Sequence, residues 1–449
     1  MRSVIHIALC IIIFASLAGC AAQGRRVGAA TKPVVVKKSV RTFVLGNGAT
    51  LIVKEGRKPG PTALQVWVTQ GSLSDPEGMP GISHFVEHML FTGSLHLPKG
   101  RMEHYLESMG GRLSGHTGRD FSYIGVTLPG PGWQRGLDIL YDLAAYPLFK
   151  PEDVGRQKKV VQLEIAQRER EPDTLVIDNL FGAAYVTNQY RNPVTGTERD
   201  VAGFTRDDVS GYYSETYVPS NMVIVVVGDV DTAEVRAAAE KTFGAIAMQE
   251  YTPPRARPEA FQAHTRTKSA EGPYGLTYMA MGWHICSASD PDMYAAEVLR
   301  AILGQGKGSR LFQELRERMG AAFDVEAELF PLREPGLFVL TAHLKADDLR
   351  RVTSEVLRQV NKLKDEYVTD AELARAVDSI EAGYLLDNET AEGQAYGLGY
   401  WATVHGEDDP GMYVENIRRV TPEDLRRVAQ KYLGEGNYTL SLVGPEGGR

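Results

Sequence analysis

Residues 204–229 laid over residues 420–445 match at one constant offset of 216. Thr205, Asp208, Asn221, Val227 and Gly228 fall on Thr421, Asp424, Asn437, Val443 and Gly444 without a gap. Each copy reads as a helix opened by Thr-x-x-Asp, followed by Asn and an apolar strand that ends in Gly. Two further pairs agree: Asp75-Pro76 with Asp290-Pro291 at an offset of 215, and Met109-Gly110 with Met319-Gly320 at 210. Loop insertions or deletions produce offset changes of that size. A unit this long is a duplicated domain, since solenoid repeats run to only about 20–50 residues.

The halves are expected at 41–248 and 274–449, joined by a linker, 249–273, in which Pro253, Pro254 and Pro258 interrupt any element. Thr42-Phe43-Val44-Leu45, the Gly46-Asn47-Gly48 turn and Thr50-Leu51-Ile52-Val53 predict a β-hairpin, and Gln65-Val66-Trp67-Val68 a further strand. The apolar positions of 82–92 suit a buried helix, and 293–303 and 310–319 read as two more. The expected class is α+β: two homologous domains, each a mostly antiparallel β-sheet packed with helices. A chain of 449 residues that is 43% apolar and 24% charged supports folded domains of this size and excludes disorder. With 57 acidic against 49 basic residues the formal charge is −8, so no overall positive field would concentrate nucleic acid, and none is expected as a partner.

Residues 1–19 read as a secretory signal: Arg2, then an apolar run from Val4 to Leu17. The run is shorter than the roughly 20 apolar residues that span a bilayer. Leu17-Ala18-Gly19-Cys20 resembles the bacterial lipoprotein signal, which implies that Cys20 becomes the lipidated first residue of the mature chain and anchors it to a membrane. Ala21 and Ala22 carry no acidic retention mark, which by the same resemblance points to the periplasmic side of the outer membrane. The alternative is a plain signal cut near Gly19, with Cys20 incidental. Residues 20–40, with Arg25, Arg26, Lys32, Lys37 and Lys38, have no periodicity and read as a tether. Cys286 is then the one thiol left free, and no internal disulfide is possible.

His84-Phe85-Val86-Glu87-His88 carries the chemistry. Two histidines at i and i+4 on a helix sit one turn apart on one face, so both imidazoles can reach one ion, and Glu87 projects beside them. Two unrelated histidines on a core helix would instead need separate hydrogen-bond partners. A catalytic zinc takes three protein ligands and keeps one position open, so a third ligand must come from elsewhere. The order His-x-x-Glu-His inverts the common zinc-protease motif.

From Arg41 onward the chain resembles the pitrilysin, insulinase-like and mitochondrial processing peptidase family of inverted-motif zinc metallopeptidases. The residues that carry the resemblance are the run Gly81 to Phe91, Gly110-Gly111 before Thr117, Tyr217-Val218-Pro219-Ser220-Asn221-Met222, Val227-Gly228-Asp229, and the run Ser309 to Arg316. The family's third ligand is a glutamate in a Val-Val-x-x-Glu-Ile run; Val160-Val161-Gln162-Leu163-Glu164-Ile165 fits, with Glu164 76 residues after His88. The resemblance thus implies one Zn2+ per chain on His84, His88 and Glu164, with Glu87 as the catalytic base in peptide-bond hydrolysis. It also implies an edge strand at Ser114 and Gly115 that pairs with the peptide substrate, and a substrate contact from Arg316 in a second half that has no zinc motif.

Departures from the family pattern leave alternatives open. Gln157 replaces a glutamate seven residues before the third ligand, and Ser114-Gly115-His116 replaces an Asn-Ala-aromatic sequence. Phe323 stands seven residues after Arg316, where the family has a tyrosine whose hydroxyl contacts substrate. Losing one oxyanion donor typically costs on the order of 100–1000-fold in rate. The zinc-bearing subunit of a heterodimer, whose related partner chain supplies the Arg/Tyr pair, is one reading; a homodimer that tolerates Phe323 is another. A non-catalytic scaffold or assembly subunit derived from the same fold, and zinc hydrolysis of a non-peptide amide, are the alternative functions. Gly304-Gln305-Gly306-Lys307-Gly308-Ser309 lacks the Walker spacing and reads as a turn. Cys286 reads as a small core residue.

Overall fold

The computed structural model describes residues 40–98, 100–406 and 410–446; the expected signal segment, Cys20 and the tether up to residue 39 lie outside the described residues. In the first half β1 (Val40–Val44), β2 (Thr50–Glu55), β3 (Pro61–Val68), β4 (Arg112–Thr117), β5 (Ser122–Pro129) and β6 (Met222–Gly228) form one sheet in the order β1-β2-β6-β3-β5-β4. In the second, β7 (Arg266–Gly272), β8 (Thr277–His284), β9 (Asp324–Phe330), β10 (Leu337–Leu344) and β11 (Tyr438–Pro445) form another in the order β7-β11-β8-β10-β9. With β1 set aside, the two orders correspond strand by strand, and each sheet contains one parallel pair, β2 with β6 and β7 with β11. The remaining pairs are antiparallel.

The duplicated sequence signals do the same work in both halves. Thr205 and Asp208 form a reciprocal capping box at the start of helix Arg206–Thr216, and Thr421 and Asp424 form one at helix Pro422–Tyr432. Gly110 and Gly320 both take a left-handed backbone, φ 71° and 58°, which glycine adopts without strain. The linker is shorter at its C-terminal end than the prolines implied. Residues 249–265 contain no helix or strand, but 266–272 is β7. Its Arg-Thr-Lys-Ser-Ala-Glu-Gly sequence is the polar run expected of an edge strand, whose outer side faces water, so it carries no apolar signature.

Strand β6 reads Met-Val-Ile-Val-Val-Val-Gly and is buried at all seven positions, because both faces of its sheet are covered. One face packs on helices of its own half, among them Ile82–Leu90 and Trp133–Ala145. The other face is covered by helix Ala391–Tyr400 from the second half, through Ala395 and Leu398 on Trp67, Val223 and Val225. The exchange is mutual: helix Pro172–Ala184 of the first half covers β8 and β11 through Val176, Leu180 and Phe181. Close approach uses glycine on both sides. A Cβ on Gly399 would lie 2.1 Å from the Trp67 indole, and one on Gly282 would lie 3.0 Å from Leu180. Among the described residues no helix is long and apolar enough to cross a membrane. Cys286 is buried, and burial pushes its thiol up to about 12.

Candidate metal centre

Helix Ile82–Leu90 is buried at every residue except His88, as its apolar composition requires. Its entry is capped from a distance. Gly81 sits at φ 86° with no side chain to cap the helix, and the Asp75 carboxylate accepts from Gly81 N at 2.6 Å and Ser83 N at 3.1 Å. Helix Pro151–Arg168 starts with Pro at its first position and Glu152 and Asp153 in its first turn, both favoured there by the missing N–H and the helix dipole. It carries Glu164 on the same side as the buried Val161.

The two helices bring His84, His88 and Glu164 together. His84 Nε2 lies 3.6 Å from Glu164 Oε1, and His88 Nε2 lies 3.4 Å from Oε2. One donor atom from each falls within 4.8 Å of the others, and no other group of three such side chains does so among the described residues. Ligands about 2.1 Å from a tetrahedral zinc stand about 3.4 Å apart, so these separations fit the edges of a zinc tetrahedron, and two imidazoles with one carboxylate are a zinc donor set. The Gln157 side chain lies beside His88 and favours its protonated ring; His84 Nδ1 is buried without a hydrogen-bond partner. Two imidazole ligands and one carboxylate leave a fourth position of a tetrahedron free for water or substrate.

Electrostatics favour a cation between them. Burial, then the neighbouring His88, pulls His84 down to about 4, which keeps it neutral and able to ligate. His88 loses by burial, but its hydrogen bond to Glu164 and the charges of Glu87 and Glu164 outweigh that and raise it. The hydrogen bond from His88, against the cost of burial, holds Glu164 below the usual carboxylate range. His88 thus favours its protonated form and Glu164 its anionic form, and a divalent ion held there would displace the His88 proton.

Glu87, 8% exposed, points from the same helix and accepts from Thr117 Oγ1 at 2.6 Å. Burial raises its carboxyl, while Thr117 and His88 oppose the rise. Thr117 ends β4, the edge strand of the first sheet. Gly115, two residues earlier, lets that edge come close: a Cβ there would lie 2.6 Å from the Phe91 ring and 2.9 Å from Glu87 Oε1. Ser114 sits opposite Gly125 of β5. The structure thus gathers His84, Glu87, His88 and Glu164 at one place, with Ser114 and Gly115 on the adjoining free strand edge. Arg316 is exposed in the π-helical turn Phe312–Arg318, 4.9 Å over the Phe312 ring, and no hydrogen bond or ion pair joins it to these four. Phe323 is 52% exposed, just before β9. The sequence reading gave no role to Thr117 or Asp75. Thr117 entered only through the family resemblance and Asp75 only through the repeat, and neither signal names its hydrogen-bond partner.

The fold is a duplicated α+β architecture with a candidate metal centre in its first half. Residues 53–198 match the sequence model of the insulinase family, peptidase family M16, and residues 203–380 match the model described as the peptidase M16 inactive domain. The chain belongs to the M16 family of pitrilysin and insulinase-like peptidases. A relative in Streptomyces coelicolor named an uncharacterized zinc protease is 27% identical over 91% of this chain and 90% of its own length. A probable mitochondrial-processing peptidase subunit beta of Arabidopsis thaliana is 25% identical over 90% of this chain and 78% of its own. Among solved structures, a protease from Helicobacter pylori superposes with a TM-score of 0.85 at 23% identity over 90% of this chain and 99% of that one. An M16 inactive domain from Pseudomonas fluorescens gives 0.83 at 19% over 90% and 98%. The identity of both structures is low enough that they speak to the fold alone.

Proposed function

We propose that this chain is a zinc metalloendopeptidase that hydrolyses unfolded or short peptides, and that it is the zinc-bearing subunit of a two-chain chamber. The observation that carries the reading is the convergence of His84, His88 and Glu164, each imidazole within 3.4–3.6 Å of the carboxylate, with Glu87 alongside. The names of relatives in S. coelicolor and Bacillus subtilis, both zinc proteases, support the metal and the reaction class. His84, His88 and Glu164 would hold the ion, which when bound supplies Lewis acidity, lowering the pKa of water and polarising a carbonyl. The free edge of β4 offers main-chain N–H and C=O groups to an extended peptide, fixing it beside Glu87. Glu87 takes the proton from the attacking water and returns it to the leaving nitrogen. Thr117 holds one carboxylate oxygen, leaving Oε1 for that transfer.

The partner chain follows from Phe323, which brings no hydroxyl for the oxyanion. The relative named as a subunit of a processing peptidase supports a two-chain arrangement. Cys20 would anchor the chain to the outer membrane on its periplasmic side. Phe323 also favours a second reading, a scaffold subunit without turnover. A fluorogenic peptide assay separates the two: cleavage that a chelator abolishes and zinc restores supports the peptidase. Glu87→Gln should retain zinc and lose at least about 100-fold in kcat; a fully active variant removes Glu87 from the role of base. Robust cleavage by the chain purified alone would contradict the need for a partner.

A further inference from the structure

Among the described residues strand β4 is hydrogen-bonded on one side only, to β5, so its ends decide where it lies. At its start Arg112 pairs with Glu392 of the exchanged helix, but Arg112 is 67% exposed, and such a pair holds weakly. The other end is built differently. Beyond Thr117 the chain turns through Gly118–Phe121, and Leu73 N donates to Arg119 O at 2.8 Å. The Arg119 guanidinium is committed to Tyr190 O at 2.7 Å and Asn192 O at 2.9 Å, and stacks 3.7 Å over Phe181. Asp120, 1% exposed, accepts from Tyr190 Oη at 2.5 Å and from Arg333 N at 3.0 Å, with Arg333 Nε 3.5 Å away. Arg333 lies in the turn between β9 and β10, the counterpart of the β4–β5 turn in the duplicated fold. The two corresponding hairpins therefore meet tip to tip, with an acid on one and a base on the other.

We infer that Arg333, contributed by the half without the zinc motif, is a positioning residue. Its ion pair with Asp120 fixes the end of β4, and through Thr117, three residues away, the carboxylate of Glu87. The neighbouring Arg119 guanidinium also faces Asp120 but is hydrogen-bonded to two main-chain carbonyls, so Arg333 is the cation that pairs with this buried carboxylate, and Asp120 follows it. Gly115 and Thr117 transmit the position, since both abut Glu87. The consequence for turnover rests on the peptidase reading, whereas the fixing of β4 does not. Replacing the Arg333 side chain leaves the Tyr190 and main-chain hydrogen bonds to Asp120 in place, so the fold is retained.

The test is hydrogen exchange by mass spectrometry on the full chain, with Arg333→Gln, Arg333→Lys and, as a second way to loosen Asp120, Tyr190→Phe. Exchange across 112–120 should rise about tenfold in Arg333→Gln while 82–90 and 151–168 stay protected, as a local opening requires. Tyr190→Phe should show the same local pattern, and Arg333→Lys should recover much of the protection. Zinc stoichiometry should not change, and in the assembly that cleaves peptide kcat should fall about 10- to 100-fold, the usual effect of misplacing a catalytic group by a fraction of an ångström to an ångström. Unaltered exchange at 112–120, or a rise spread evenly over both halves, overturns the proposal. Local loosening in a chain whose wild type takes up no zinc would retain the strand-fixing role and reject the peptidase reading.

Discussion

At the scale of single residues the site depends on what surrounds Glu87. A buried carboxylate that must accept a proton needs one oxygen held and one free, and Thr117 supplies the hold at 2.6 Å. Thr117→Val keeps the shape of the side chain and removes its hydroxyl. We expect kcat to fall about 10- to 100-fold with zinc retained, the range found when a supporting hydrogen bond is lost, and Thr117→Ser to restore it. Equal kcat in the valine variant, measured at saturating peptide, would show that Thr117 is structural only. Glu164, His84 and His88 were legible in the sequence because a helix fixes the i, i+4 relation and because the family motif supplies the distant ligand. The Thr117 contact was not, since it joins a helix to a strand 30 residues away through a side-chain rotamer.

Elements are held by capping and by paired charges. Thr369 caps helix Asp370–Asp387 with Glu372, and Glu372 also receives two hydrogen bonds from Arg310, 2.7 and 3.1 Å, that tie this helix to the turn before Phe312. The Arg310 guanidinium holds the Glu372 carboxyl down to about 2 against an ordinary 4.5. A depressed folded value means that the contribution is present above pH 4.5 and is lost as pH falls through about 2. Glu372→Gln should cost about 1 kcal/mol at pH 7, as expected of a partly exposed charged pair. Between pH 4.5 and 2 its stability should also fall less steeply than that of the wild type, read by urea unfolding across pH. Parallel acid limbs would contradict the pairing. Apolar strands and Thr-capped helices were readable because burial and capping are local. Polar β7 and the π-helical turn Phe312–Arg318, expected as an ordinary helix over 310–319, were not, because tertiary packing sets them.

At the scale of the molecule the repeat announced two halves but not their interlocking. Helices Pro172–Ala184 and Ala391–Tyr400 each cover the other half's sheet, and no periodicity within a helix states which sheet will receive it. The halves should therefore unfold together. Gly399→Ala tests this at the contact with Trp67, where the added methyl has no room. We expect a loss of about 1–3 kcal/mol, typical of overpacking, in a single transition that includes the half that carries His84 and His88. Two separate transitions would show the exchange to be energetically idle.

The central claim is that one divalent ion joins helix Ile82–Leu90 to helix Pro151–Arg168, and its most direct measurement is zinc content per chain after reconstitution and desalting. One zinc per chain is expected in the wild type and in Glu87→Gln, and a clear loss in Glu164→Ala. A wild type that takes up no zinc, or a Glu164→Ala chain that holds it as well as the wild type, would contradict the account.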